Sequence, residues 1–195
     1  MRLLVLFLCL VLSAFRQPEE KILFVGDSLT AYSGGWQHQM SRMLHAKHTN
    51  ISKGGKRTKW MVNELKKHAD NSEGYTKVVI YGGINDSFSS VKEDDTIDNI
   101  INMVYIAKEM GAEPIVVVGY NPEKVNVLTP YSTEIETKCR NIYIKLQKRI
   151  QKDITMCNVI PMENTIIRAD SDDGIHLNSK GHKKFTNWVL KNLEM

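Results

Sequence analysis

The sequence predicts an α/β fold in three layers, with helices on both faces of a five-stranded parallel sheet. Two observations carry this reading: short apolar runs recur along the chain, and stretches of helical period separate them. The runs are Ile22–Val25, Val78–Tyr81 and Pro114–Val118, with shorter candidates at Thr49–Ser52 and Met156–Ile160. Between Trp36 and Ala46, the residues Trp36, Met40, Met43 and Leu44 share one helical face. From Lys59 to His68 the apolar positions are Trp60, Met61 and Leu65. Thr96–Met110 carries Ile97, Ile100, Ile101, Val104 and Ile106, and Thr133–Ile154 carries Ile135, Ile142, Ile144, Leu146 and Ile150. A last helix buries Phe185, Trp188, Val189 and Leu193. Strict alternation of strand and helix forces each crossover to return over the sheet, which makes the strands parallel. The resulting β-α order is the flavodoxin-like plan, whose ligand crevice lies at the carboxyl ends of the strands.

Length and composition fit one folded domain: 195 residues, 42% hydrophobic and 25% charged, with no repeat or low-complexity tract. The opening Met1–Ala14 has one positive charge, an apolar run and small residues after it, the form of a secretory signal peptide. That run falls short of the roughly 20 residues needed to span a bilayer. The leader is therefore read as residues 1–14, its limit no further than about residue 18, and residues 20–195 as a single domain. An uncleaved membrane tether is the alternative. Loss of Arg2 with the leader takes the formal charge from +4 to +3. Lys47, Lys53, Lys56, Lys59, Lys66 and Lys67 are spread along the chain without interleaved stacking aromatics, which speaks against a nucleic-acid partner. Weak attraction to anionic cell-surface polymers stays open. An exported chain keeping Cys139 and Cys157 has the pair needed for a disulfide, and their spacing leaves the bridge undecided. Asn50 and Asn85 begin Asn-X-Ser sequons.

Chemistry concentrates in four places. Lys21–Val25 ends abruptly in Gly26-Asp27-Ser28, so Ser28 stands on the turn after a buried strand. By itself such a serine is more often a helix cap than a nucleophile. Near the far end, Asp173-Gly174-Ile175-His176 sets an aspartate three residues before a histidine, able to hold one ring nitrogen and leave the other as a base. Asn50-Ile51-Ser52-Lys53-Gly54-Gly55-Lys56 offers a glycine turn with free N–H groups, and Gly82-Gly83-Ile84-Asn85-Asp86 places an amide past another strand. Alone, Asp173 and Asn85 would be turn formers and His176 a loop residue.

These four blocks, in this order, resemble the SGNH (GDSL-type) hydrolase family over the region from Lys21 to the C-terminus. The resemblance implies the SGNH hydrolase fold, a nucleophilic Ser28, a general base His176 oriented by Asp173, and an oxyanion hole of the Ser28 and Gly55 N–H groups plus the Asn85 amide. Either Gly54 or Gly55 suits the second donor, and the spacing to Asn50 favours Gly55. Asp27 and Asp86 are read as braces for their turns. Tyr32 and Trp36 lie near Ser28 and are candidate substrate-binding residues, and the irregular segment Tyr120–Tyr131 is a candidate flank of the pocket.

The expected function is an exported serine esterase cleaving short-chain carboxylic esters, with O-acetyl groups on carbohydrate or a lysophospholipid as candidate substrates. Transfer of the acyl group to a sugar acceptor, or a silent carbohydrate-binding version of the fold, are the competing readings. His38, His45 and His48 cluster without an HExxH-type spacing or interleaved acid, and the family chemistry needs no metal, so neither metal nor cofactor is expected. The Gly-X-Ser-X-Gly elbow of ordinary α/β-hydrolase lipases is absent around Ser28.

Overall fold

The computed structural model describes residues 19–70, 74–125, 132–152 and 156–193. The leader stretch 1–14 and residues 126–131 of the irregular segment lie outside them. Five strands, β1 (Lys21–Gly26), β2 (Lys47–Asn50), β3 (Lys77–Tyr81), β4 (Glu113–Val117) and β5 (Asn158–Ile160), form one sheet in the order β2-β1-β3-β4-β5. Every pairing is parallel. Between and after them run α1 (Ser28–Ala31), α2 (Trp36–Met43), α3 (Thr58–Ala69), α4 (Ile84–Ser87), α5 (Glu93–Glu109), α6 (Pro122–Val125), α7 (Ser132–Gln151) and α8 (Ser179–Leu193). Helices α2 and α8 pack together on one face, while α3, α5 and α7 stand side by side on the other.

Ile22, Leu23, Phe24 and Val25 are all wholly buried, because successive side chains point to opposite faces and both faces carry helices. Burial of each such side chain contributes on the order of 1.5–3 kcal/mol, so β1 anchors the core. Trp36 is the node of one layer: its ring meets Phe24 at 5.7 Å, Tyr81 at 6.0 Å and Phe185 at 5.4 Å, all edge-on. The periodic positions of α5 are buried as a set.

Three sequence expectations shift. The residues His45 and Ala46, the first with φ of 52°, turn the chain early, so the second strand covers Lys47–Asn50 rather than Thr49–Ser52. The fifth strand is shorter than Met156–Ile160, pairing over Asn158–Ile160 alone. Met43 is 58% exposed despite its spacing to Trp36 and Met40, because it faces an open groove whose other wall presents Lys183 and Asn187. Cys139 is buried and Cys157 half-buried, and the two are not bridged to each other.

The strand order puts the topological switch between β1 and β3, since the chain leaves β1 for β2 on one side and returns to β3 on the other. Gly26 is in register with Tyr81 there. The turns that follow these two strands therefore sit side by side.

Candidate active site

Ser28 opens α1 directly beyond β1, and the cap is its neighbour: Asp27 Oδ1 accepts the Leu29 N–H at 3.0 Å. With capping assigned to Asp27, the Ser28 hydroxyl is left for another partner. His176 supplies it, with Nε2 2.9 Å from Ser28 Oγ. On the other side of the ring, Nδ1 is 2.6 Å from Asp173 Oδ2. The second Asp173 oxygen accepts the N–H groups of Ile175 at 2.8 Å and His176 at 2.7 Å, so the loop folds back on its own carboxylate. Burial works against the charge of Asp173, but the hydrogen bonds from the His176 and Ile175 backbone and the His176 ring outweigh it and bring the pKa down to about 2. The carboxylate is thus ionised throughout the neutral range.

The loop bearing this pair is pinned three times. Ser171 Oγ donates to the His176 carbonyl at 2.7 Å, and the buried Asp170 takes Lys184 at 2.6 Å and Lys180 at 3.5 Å from α8. Tyr120, at the end of the fourth strand's loop, donates its hydroxyl to the Ile175 carbonyl.

Two further turns approach Ser28. Past β2 the pairing with β1 continues, as Ile51 N–H donates to Phe24 O and Lys53 N–H to Gly26 O, which carries the Lys53–Lys56 turn to the nucleophile's side. Gly55 holds φ of +71° in that turn, the conformation a type II turn requires at its third position and a β-carbon disfavours. Gly54 is the nearer glycine: a Cβ there would stand 3.8 Å from Ser28 Cβ. Asn50 braces the approach, donating to Thr30 O at 2.8 Å and accepting from Ser52 N–H at 3.0 Å. Asn85, in α4 just past β3, donates one amide hydrogen to Lys56 O at 3.1 Å, leaving its second hydrogen unassigned. Asp86 accepts from Thr58 N–H at 3.0 Å and Thr58 Oγ1 at 2.7 Å, tying α4 to the start of α3.

A cavity of about 230 Å³ opens at Ser28, lined among others by Tyr32, His176, Leu177 and His182. Tyr32 is 63% exposed and stacks on the His182 ring at 5.3 Å. Trp36 does not line this cavity: it is wholly buried, its Nε1–H donates to Leu29 O at 2.9 Å, and its neighbours are the core rings. Trp36 supports the helix that carries Ser28 from behind, and contact with a substrate is not available to it. His182 was not legible as a site residue. Its Nδ1 accepts the Trp36 N–H at 3.3 Å, which fixes the remaining hydrogen of the neutral ring on Nε2. Its signal in the sequence is its place six residues after His176, in the first turn of the last helix. His38 and His48 meet edge-to-face at 5.5 Å, His48 lying in the edge strand β2, and neither lines the cavity at Ser28.

Fold and site together define the SGNH hydrolase class of α/β protein. The chain belongs to the GDSL-like lipase/acylhydrolase family, whose model matches residues 24–184. Among solved structures it is similar to a GDSL-like lipase from Bacteroides thetaiotaomicron, with 18% identity, 95% of each chain covered and a TM-score of 0.68. It is also similar to a lipolytic G-D-S-L protein from Veillonella parvula (17% identity, 89% of this chain and 97% of the other, TM-score 0.72). An acetyl xylan esterase aligns at 17% identity over 88% of this chain and 98% of its own, with a TM-score of 0.61. No curated protein matches this sequence. No helix among the described residues is long and apolar enough to cross a membrane.

Proposed function

We propose that this chain is an exported serine esterase, residues 1–14 serving as its leader and residues 20–195 as one catalytic domain, that cleaves short-chain carboxylic esters through an acyl-enzyme. The observation that carries the reading is the unbroken relay from Asp173 Oδ2 through the His176 ring to Ser28 Oγ, at 2.6 Å and 2.9 Å. In this mechanism His176 Nε2 takes the Ser28 proton as Oγ bonds to the ester carbon. The carbonyl π electrons move onto oxygen, and the tetrahedral oxyanion lies among the N–H groups of Ser28 and Gly55 and the free hydrogen of the Asn85 amide. Collapse expels the alcohol, which receives the proton from His176. Water, deprotonated by the same ring, then releases the carboxylic acid and restores Ser28.

The modest cavity at Ser28 and the exposed Tyr32 ring favour a short acyl group on a polar alcohol, such as an acetylated carbohydrate, over a long lipid chain. The test is a series of nitrophenyl esters from acetate to palmitate on wild type and Ser28→Ala. Acetate or butyrate should be fastest, and the variant should fall to the uncatalysed rate. Equal rates in the two proteins would remove Ser28 as nucleophile, and palmitate faster than acetate would remove the short-acyl assignment. Asn85→Ala should lower kcat by about 10²–10³-fold with KM little changed, since one oxyanion donor is worth about 2.7–4 kcal/mol in the transition state.

A further inference from the structure

Two histidines line the cavity at Ser28, and the relay uses only one of them. His182 shares that lining with Ser28, His176, Tyr32 and Asp172. It is 6% exposed, and three sides of its ring are occupied. Nδ1 accepts the Trp36 N–H at 3.3 Å. Tyr32 covers one face, the two rings lying 7° from parallel with centres 5.3 Å apart. At Cε1 the backbone of Gly35 comes so near that a Cβ there would stand 3.2 Å away. The edge that remains for the cavity carries Nε2. Among the described residues Nε2 has no hydrogen-bond partner.

This ring is held neutral. A proton added at Nδ1 would set donor against donor at the Trp36 N–H, and Trp36 is the first residue of α2, where the helix dipole is positive and disfavours a cation. Burial also holds the pKa below the ordinary histidine value of 6.5, against the pull of the Asp172 charge. With Nδ1 bare, the hydrogen of the neutral ring stands on Nε2. The two histidines therefore present opposite chemistry to one cavity. His176, its Nδ1 hydrogen given to Asp173, offers a bare Nε2 to Ser28, whereas His182 offers an N–H. A buried donor without an acceptor is destabilising, and a site built around one selects the ligand that supplies the acceptor.

Building on the esterase reading above, we infer that His182 is a specificity-determining residue whose Nε2–H donates to a free hydroxyl beside the scissile ester, so that the alcohol of the natural substrate is a partly acylated polyol. One cavity of about 230 Å³ holds both Ser28 and His182, which sets the hydroxyl on a carbon close to the ester oxygen. Asp172, on the same lining, is the acceptor for the hydroxyl's own hydrogen. A hydroxyl matches such a donor and acceptor together, and a methylene matches neither. Tyr32, stacked on the imidazole, fixes the plane in which the N–H points.

Two acetates on one ring test this: trans-2-hydroxycyclohexyl acetate and cyclohexyl acetate, which differ by a single hydroxyl. Wild type should prefer the first by about tenfold in kcat/KM. A pair of substitutions separates this role from the structural one at Trp36. His182→Asn keeps an acceptor where Nδ1 stands and removes the donor at Nε2, so it should melt near wild type while the ratio falls to about one. His182→Gln keeps an N–H at the Nε2 position and gives up the Trp36 acceptor, so it should melt earlier yet hold a preference of about fivefold. Each ratio is taken on one sample, and any loss of folded protein cancels from it. No preference in wild type, a preference kept by His182→Asn, or one lost equally in both variants overturns the inference. NMR of the imidazole hydrogens with trans-1,2-cyclohexanediol added separates His182 from the esterase itself. A shifted His182 Nε2–H signal without Ser28-dependent hydrolysis of either acetate would retain the hydroxyl site and refute the esterase. Ser28-dependent hydrolysis at equal rates on the two acetates would do the opposite.

Discussion

At the scale of single residues, the site depends on which group each carboxylate serves. Asp27 caps α1 and so frees the Ser28 hydroxyl, Asp86 holds Thr58, and Asp173 is spent on His176. Asp173 is depressed to about 2, below the ordinary carboxylate value of 3.8. Its folded-state hold is thus fully present above pH 3.8 and is lost only as pH falls through about 2. The activity profile should therefore show no inflection near pH 4, in the ordinary carboxylate range. An inflection there would mean that these hydrogen bonds do not hold the Asp173 carboxylate. Asp173→Asn should lower kcat by orders of magnitude, about 10⁴-fold where the wrong tautomer is selected, while leaving KM for the ester largely intact.

At the scale of elements, the histidine loop is held against the sheet by α8. Gly181 allows this: a Cβ there would stand 2.1 Å from the Asp170 carbonyl oxygen, a backbone atom that cannot swing away. Gly181→Ala should therefore push α8 from the Arg168–Asp170 turn, strain the Lys180 and Lys184 contacts to Asp170, and carry His176 off Ser28 Oγ. The expected cost is about 1–3 kcal/mol of stability from overpacking, with a fall in kcat larger than that loss explains. Thermal melting and ester turnover on the same sample check it, and unchanged values of both would mean that the helix does not position the loop. The same scale accounts for what helical period alone could not decide. Trp36 and Met43 are seven residues apart and share a stripe, yet one is wholly buried and the other mostly exposed. Period assigns residues to a face, and the neighbour brought by tertiary packing decides which part of that face is covered.

At the scale of the whole molecule, one buried acid links the site to global stability. Asp27 is wholly buried beneath the catalytic edge. Burial, reinforced by the Asp86 charge and opposed by its hydrogen bond from Leu29, raises its pKa from 3.8 to about 7. A carboxyl raised on folding is more readily protonated in the native chain. Its contribution is therefore fully favourable below pH 3.8 relative to high pH, and fades as pH climbs through 3.8 toward about 7. The difference is on the order of 4 kcal/mol at 1.36 kcal/mol per unit. Asp27→Asn keeps an acceptor for Leu29 and removes the titration, so its unfolding free energy should vary less between pH 5 and 8 and exceed that of wild type at pH 8. Denaturant melts at several pH values measure this, and parallel pH dependence in the two proteins would contradict it.

The sequence by itself determined the SGNH family, the parallel sheet with helices on both faces, and the four turns that face one another. Those features follow from local pattern: apolar runs of strand length, helical period between them, and motif residues placed directly after strands. Only the tertiary structure decided that Trp36 belongs to the core while Tyr32 and His182 line the cavity, and that Asn85 is held by the Lys56 carbonyl. Exposure and electrostatic field depend on elements far apart in the chain meeting in space, and no local pattern encodes them.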